Sequence, residues 1–334
     1  IEFGVGAFRF HALGQTIERA PGVAYEVAHT YTVDELFEVT YAQSGDLVRL
    51  RHKNHPRRTL TRVAATNWTL TDDPTGPAIT APANLAGTPT AGVTPGTPFD
   101  TDYVVSALTA DGDESLPSTS ETVSNNLYDD GAFNTLTWDA VTGAQRYNVY
   151  KRTVGLYGFI GQTDVLTFKD ENIAPNIGMT PPLDIDIFNS ATNYPGAVSY
   201  HEQRLWEGGT LTQPQNAWGS KSGTEFNYNY SIPAQDADSI QFKIAARENN
   251  GIRHLVAMGD LLALTFSNIW KISGGSADIL TPLTVSARQQ TYTGAADTRP
   301  ALTGNNMVYV AARGGPLREL GYDGEIGLEF MPSQ

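Results

Sequence analysis

The chain has 334 residues, with 22 lysines and arginines against 36 aspartates and glutamates, so its formal net charge of −14 repels polyanions and excludes a general nucleic-acid binder. The absence of cysteine excludes a disulfide framework and a thiolate zinc site, and suits synthesis in a reducing cytoplasm. With 40% hydrophobic residues there is material for two or more cores, while 32 glycines and 19 prolines favour strands and turns over helices.

In chain order, Ile1-Glu2-Phe3-Gly4 already reads as a strand without a starting methionine, so a native N-terminus is expected to precede it. Gly4-Val5-Gly6 lacks the third glycine and the helix of a dinucleotide loop. Only Thr32 to Thr40 combines helical length with helical period. After the Gly45-Asp46 turn, Arg49, Arg51 and Lys53 lie at i, i+2 and i+4, on one face of a strand. With Arg57, Arg58 and Arg62 they form a basic hairpin. Three readings of it stand open: a solvated edge strand, a contact with an acidic patch on a neighbouring copy, or a phosphate contact. His52-x-x-His55 offers two metal ligands, but Pro56 and the arginines favour a cationic loop, and no metal or cofactor is expected.

From about Thr75 to Asp186 the composition changes. Pro- and Gly-rich stretches, Thr75 to Pro98 and Pro181-Pro182, read as linkers around a separate domain. Leu136-Thr137-Trp138 with Tyr147-Asn148-Val149-Tyr150 resembles the core tryptophan and the strand above it in a fibronectin type III domain. Tyr103 to Leu108, followed by Asp111 to Ser118, resembles that domain's last hairpin. Here the last hairpin comes first and Thr167-Phe168-Lys169-Asp170 comes last, so a circularly permuted sandwich is expected, with its ends close together as a loop insertion needs. Asp111-Gly112-Asp113-Glu114 clusters carboxylates as a calcium loop does, yet Asp-Gly is equally a hairpin-turn signal.

With 75–186 excised, segments 1–74 and 187–334 close into similar antiparallel units. Tight turns at Gly45-Asp46, Gln203-Arg204, Gly259-Asp260 and Asn305-Asn306 fall about 45 to 56 residues apart, the range of one propeller blade. Aromatic-bearing strands follow at Trp68, Trp218, Trp270 and Tyr322. The expected class is therefore all-β: a partial β-propeller-like platform of repeated antiparallel units carrying the permuted sandwich. The longest apolar runs are only strand-sized, so no membrane span is expected.

No catalytic motif is complete in the sequence, and the expected reading is not an enzyme. His201-Glu202 begins like a zincin helix, but Leu205 occupies the second histidine's place. Gly219-Ser220-Lys221-Ser222-Gly223 has lysine where a nucleophile elbow needs serine. Asp184-x-Asp186 and Asp236-x-Asp238 are candidates for paired glycosidase acids or for solvated loops. Phe226-Asn227-Tyr228-Asn229-Tyr230 alternates rings with amides. Tyr228 and Tyr230 are thus candidate glycan contacts, or alternate rings facing a core.

The segment Tyr194-Pro195-Gly196-Ala197-Val198-Ser199-Tyr200, then Gln203 to Thr210 and Gln213 to Gly223, resembles the core of tail nozzle proteins of short-tailed bacteriophages, also called tail tubular protein B. Asp236 to Ile240 and Asn250 to Val256 continue the resemblance. So do Pro21 to Ala28, Tyr31-Thr32 and His55 to Leu60. It spans nearly the whole chain except the insert. The resemblance implies a structural subunit of the virion tail, made in the bacterial host cytoplasm and assembled as a homo-oligomeric ring, commonly of six. It further implies tail adaptor and other tail proteins as partners, and double-stranded DNA passing through the bore without specific binding during genome ejection. It also implies more strands after Met331-Pro332-Ser333-Gln334. Under it the basic hairpin belongs at a subunit or adaptor interface. A carbohydrate-binding adhesin and a propeller glycosidase remain as alternatives.

Overall fold

The computed structural model describes residues 1–244, 250–275, 279–323 and 329–332. Ser333 and Gln334 lie outside them. The chain forms two compact units, one of residues 1–75, 186–225 and 240–334, the other of 76–185 and 226–239.

The first unit is a platform of four four-stranded antiparallel sheets, each a simple meander in chain order. Blade one comprises Thr40–Ser44, Leu47–His52, His55–Ala64 and Asn67–Asp72. Blade two comprises Ala197–His201, Arg204–Gly208, Asn216–Gly219 and Ile240–Lys243. Blade three comprises Ile252–Ala257, Leu261–Thr265, Ile269–Ser273 and Ser286–Thr291. Blade four comprises Ala301–Thr303, Asn306–Val310, Leu317–Asp323 and Glu329–Pro332. Each of the four turns read from the sequence joins the first two strands of a blade. Trp218 and Trp270 lie on third strands, whereas Trp68 lies on a fourth.

The first strands of all four blades line one cleft of about 600 Å³, bounded by Thr40 to Gln43, Val198 to Tyr200, His254 to Ala257 and Arg299 to Leu302. That convergence makes the platform propeller-like. Upstream, Glu2–Phe3, Ala7–Arg9 and Glu26–Ala28 form a small sheet whose Phe8, with Phe10, packs on Val48, Leu50 and Leu60 of blade one. The helix expected over 32–40 is a single 3-10 turn, Glu35–Phe37. The Glu35 carboxylate accepts the Thr32 N–H at 2.9 Å and closes the turn, and the chain becomes blade one's first strand at Thr40.

The blades meet in two different ways. Ala197, Trp206, Ala217 and Ile240 of blade two share an apolar core with Leu255, Leu261, Trp270 and Ile272 of blade three. Leu262, Leu264 and Ile269 of blade three pack on Met307, Tyr309 and Leu320 of blade four. Between blades one and two the contact is ionic, as described below.

The second unit is a sandwich. One sheet has the order Ala86–Thr90, Phe133–Thr137, Thr167–Asp170; the other runs Glu121–Asn125, Phe99–Leu108, Arg146–Thr153, Leu156–Thr163. Trp138 lies beneath Tyr147, ring centroids 5.4 Å apart, in a core with Tyr103, Val105, Leu136 and Val149. The early hairpin pairs with Arg146–Thr153, as a fibronectin domain's last hairpin does with its third strand, and Thr167–Asp170 closes the opposite sheet. The unit's first and last strands flank the same strand, so they run about 10 Å apart. Residues 226–239 also belong to this unit: Leu183 and Tyr230 exchange backbone hydrogen bonds at 2.7 and 3.1 Å, and Gly76 N–H donates to Phe226 O at 2.9 Å.

Candidate functional site

Strand Leu47–His52 is buried on both faces, which alternation of side chains makes possible only if each face meets a neighbour. Val48 and Leu50 point into the apolar core. Arg49 and Arg51 point the other way, to blade two. Arg51 is fully buried, and its Nε donates to the equally buried Glu207 of strand Arg204–Gly208. Its Nη2 is 2.7 Å from Asp73. Arg57, on the next strand, places Nη1 3.1 Å from the second Glu207 oxygen. Arg49 pairs with Glu225 and donates to Tyr200 Oη at 3.1 Å, while Tyr200 donates to Glu225 at 3.0 Å. Thr59 donates to Asp73.

Among the described residues, three guanidinium groups thus face three carboxylates. Burying such charges costs several kcal/mol per ion unless the pairing is close, which the bidentate use of Glu207 supplies. Arg57 does more. It donates to Pro74 O and Thr75 Oγ1, and its guanidinium lies 5.0 Å from the Phe188 ring centroid. Phe188 in turn meets Trp218 edge-on at 5.2 Å. The points where the chain leaves blade one, enters blade two and departs again after Glu225 therefore gather around one ionic cluster.

The other members of the basic hairpin lie elsewhere. Lys53 pairs with Glu38 at 3.0 Å, Arg58 with Asp72 at 2.9 Å and Arg62 with Asp46 at 3.5 Å, the last pair exposed. The six residues thus do not present one surface: Arg49, Arg51 and Arg57 face inward, which for these three fits neither the solvated edge strand, nor the contact with a neighbouring copy, nor the phosphate contact. The spacing gave the face correctly but not its neighbour, because Glu207 and Glu225 lie more than 150 residues away.

Several of the carboxylates and rings singled out as catalytic or glycan-binding have structural partners, while Asp184 lies exposed. Asp238, 2% exposed, accepts the Ser231 and Gln235 N–H groups, both at 2.9 Å, and holds that loop. Asp236 belongs to the same loop, and Asp186 accepts from Asn189. Asp113 accepts Ala78 N–H at 2.9 Å and Asn227 Nδ2–H at 2.7 Å, while Glu114 turns to Tyr150 Oη at 2.6 Å. Those two carboxylates diverge, unlike calcium ligands. Tyr228 is 1% exposed and offers no ring to a glycan; Tyr230 is 37% exposed. Ser220 and Lys221 form the turn after strand Asn216–Gly219, where Ser220 N–H donates to Leu205 O at 3.0 Å.

In the central cleft, Arg299 stacks over Tyr41, 3.4 Å from the ring centroid, and donates to Tyr41 O at 3.0 Å. His254, in the cleft wall, has its Nε2 3.0 Å from Ala296 O, and burial holds its pKa below the usual histidine value. Sequence reading missed this lining, since Arg299 precedes a short strand and carries no motif.

No protein-family model and no curated protein matches the chain. Among solved structures, a protein from Lactobacillus plantarum is similar at 12% identity and a TM-score of 0.32, covering 86% of this chain and 67% of that one.

Proposed function

We propose that the chain is a structural subunit of a bacteriophage tail, forming a ring-shaped nozzle through which genomic DNA passes without sticking. The observation that carries this reading is the position of the nozzle-like segment Tyr194 to Gly223. It supplies the first three strands of blade two, with Trp206 on the contact to blade three and Glu207 on the contact to blade one. A resemblance concentrated on blade-joining residues supports a scaffold role.

Charge supports it as well. In a chain of net charge −14, Arg49, Arg51 and Arg57 are withdrawn from the surface together with their partners Glu207, Asp73 and the half-buried Glu225. Each surface lysine or arginine along a bore would add a salt-dependent phosphate contact; an acidic lining avoids that retention. The ring number, taken from the resemblance, is six, and adjoining tail proteins are its partners. Light scattering on the purified chain tests the assembly: a closed oligomer is expected, and a strict monomer that also fails to associate with tail proteins contradicts it.

A further inference from the structure

The turn between the second and third strands of blade one brings together residues that sequence spacing separates. Glu35 of the 3-10 turn, His52 and His55 each offer one ligand atom within 4.8 Å of the other two. His55 Nε2 is 2.9 Å from Glu35 Oε2, and the two imidazole rings lie 5.2 Å apart. His52 is 1% exposed, yet its Nε2 makes no hydrogen bond; the Glu38 carboxylate stands 3.5 Å from it. Tyr31, 3% exposed, sets its ring against His55 at 4.6 Å, and its hydroxyl is also unpartnered. An unsatisfied buried polar atom costs about 1–3 kcal/mol.

We propose that Glu35, His52 and His55 form a binding site for a divalent first-row transition-metal ion. Two imidazoles and one carboxylate are a borderline donor set, suited to zinc and its neighbours and unsuited to calcium or magnesium, which take oxygen ligands. The Glu35 carboxylate is oriented by the Thr32 backbone N–H at 2.9 Å and by His55, on the side facing the imidazoles. Supporting contacts are in place: Asn54 Nδ2–H donates to Glu35 at 3.2 Å, and Thr30 Oγ1 lies 3.4 Å from His55 Nδ1.

Binding has a definite cost. Tetrahedral zinc with bonds of about 2.0–2.1 Å sets ligand atoms about 3.3 Å apart, so His52 must close toward the Glu35–His55 pair. His52 Nδ1 now accepts the Asn54 N–H at 3.2 Å, and coordination through either ring nitrogen gives up that contact. Coordination through Nδ1 leaves Nε2–H to Glu38. The side chains of Glu35 and His55, 18% and 14% exposed, leave the ion a way in.

Isothermal titration of the EDTA-treated chain with zinc chloride tests the site, with cobalt(II) absorption as a second readout of ligand type. One equivalent is expected to bind, with a tetrahedral cobalt spectrum. His52→Ala removes a buried ring and risks misfolding, so Glu35→Gln and His55→Gln serve as the deciding variants. Each is expected to weaken zinc by at least about tenfold while the folded spectrum is retained. Absence of zinc binding, or binding that both variants leave unchanged, overturns the proposal.

Discussion

Arg57 reaches the strand end where the chain leaves the platform, at Pro74 and Thr75, and the point of return at Phe188, while its other arm rests on Glu207. Glu207 serves Arg51 and Arg57 together, so Glu207→Ala leaves two buried guanidinium groups short of a partner. The expected loss is about 3–5 kcal/mol, read from urea unfolding. Arg62→Ala, which removes an exposed pair with Asp46, is expected to change stability by about 0–1 kcal/mol in the same assay. Equal effects of the two variants would contradict the inward assignment of the cluster. His254 gives a pH test. Its folded pKa lies below the unfolded value because burial disfavours the charged ring, so between the two values the unfolded chain binds more protons. Stability is then full above the unfolded histidine pKa of about 6.5 and falls as pH drops through the window below it. His254→Gln keeps a donor for Ala296 O and removes the titration; acid melts of this variant are expected to show a shallower fall. At this scale the sequence was partly legible. The two-residue period showed that Arg49 and Arg51 share a face, but only the fold brings Glu207 and Glu225 to it.

The four blade turns were readable because a tight polar turn between alternating strands is a local signal, complete within about ten residues. The sandwich core was readable for the same reason, through Trp138 and the Tyr147 strand. The segment 226–239 was not, since its pairing partners, Leu183 and Gly76, are distant in sequence and its own alternation of rings and amides fits a core as well as a surface. Its place in the second unit changes what an excision must remove. Joining blade one directly to blade two by deleting 76–185 alone strips Tyr228 and Asn229, each 1% exposed, of their cover. That variant is expected to be aggregation-prone, whereas removal of both 76–185 and 226–239 with short Gly-Ser joins yields a soluble platform with a cooperative melt. Gly209 tests the close approach of blades two and three. Its φ is +71°, and an added Cβ would meet Ile252 O at 2.2 Å. Gly209→Ala is therefore expected to destabilise the platform by more than about 1–3 kcal/mol, the cost of the backbone conformation alone. A neutral effect in chemical denaturation would contradict that contact.

Over the whole molecule, the ionic contact between blades one and two stands apart from the apolar cores of the other two blade contacts, and it lies where the chain makes its excursions. Charged residues there are held by geometry, so the strands flanking each excursion keep a fixed register. Metal-ligand convergence at Glu35, His52 and His55 was only half legible. The two histidines are three residues apart, but Glu35 joins them through the 3-10 turn that replaced the expected helix. Cryo-electron microscopy of the native particle is the direct test of the proposed assembly around DNA. A closed ring of this chain at the tail is expected, with its carboxylates toward the bore and Arg49, Arg51 and Arg57 enclosed within each subunit. Absence of the chain from the tail, or a bore lined by those three arginines, would contradict it.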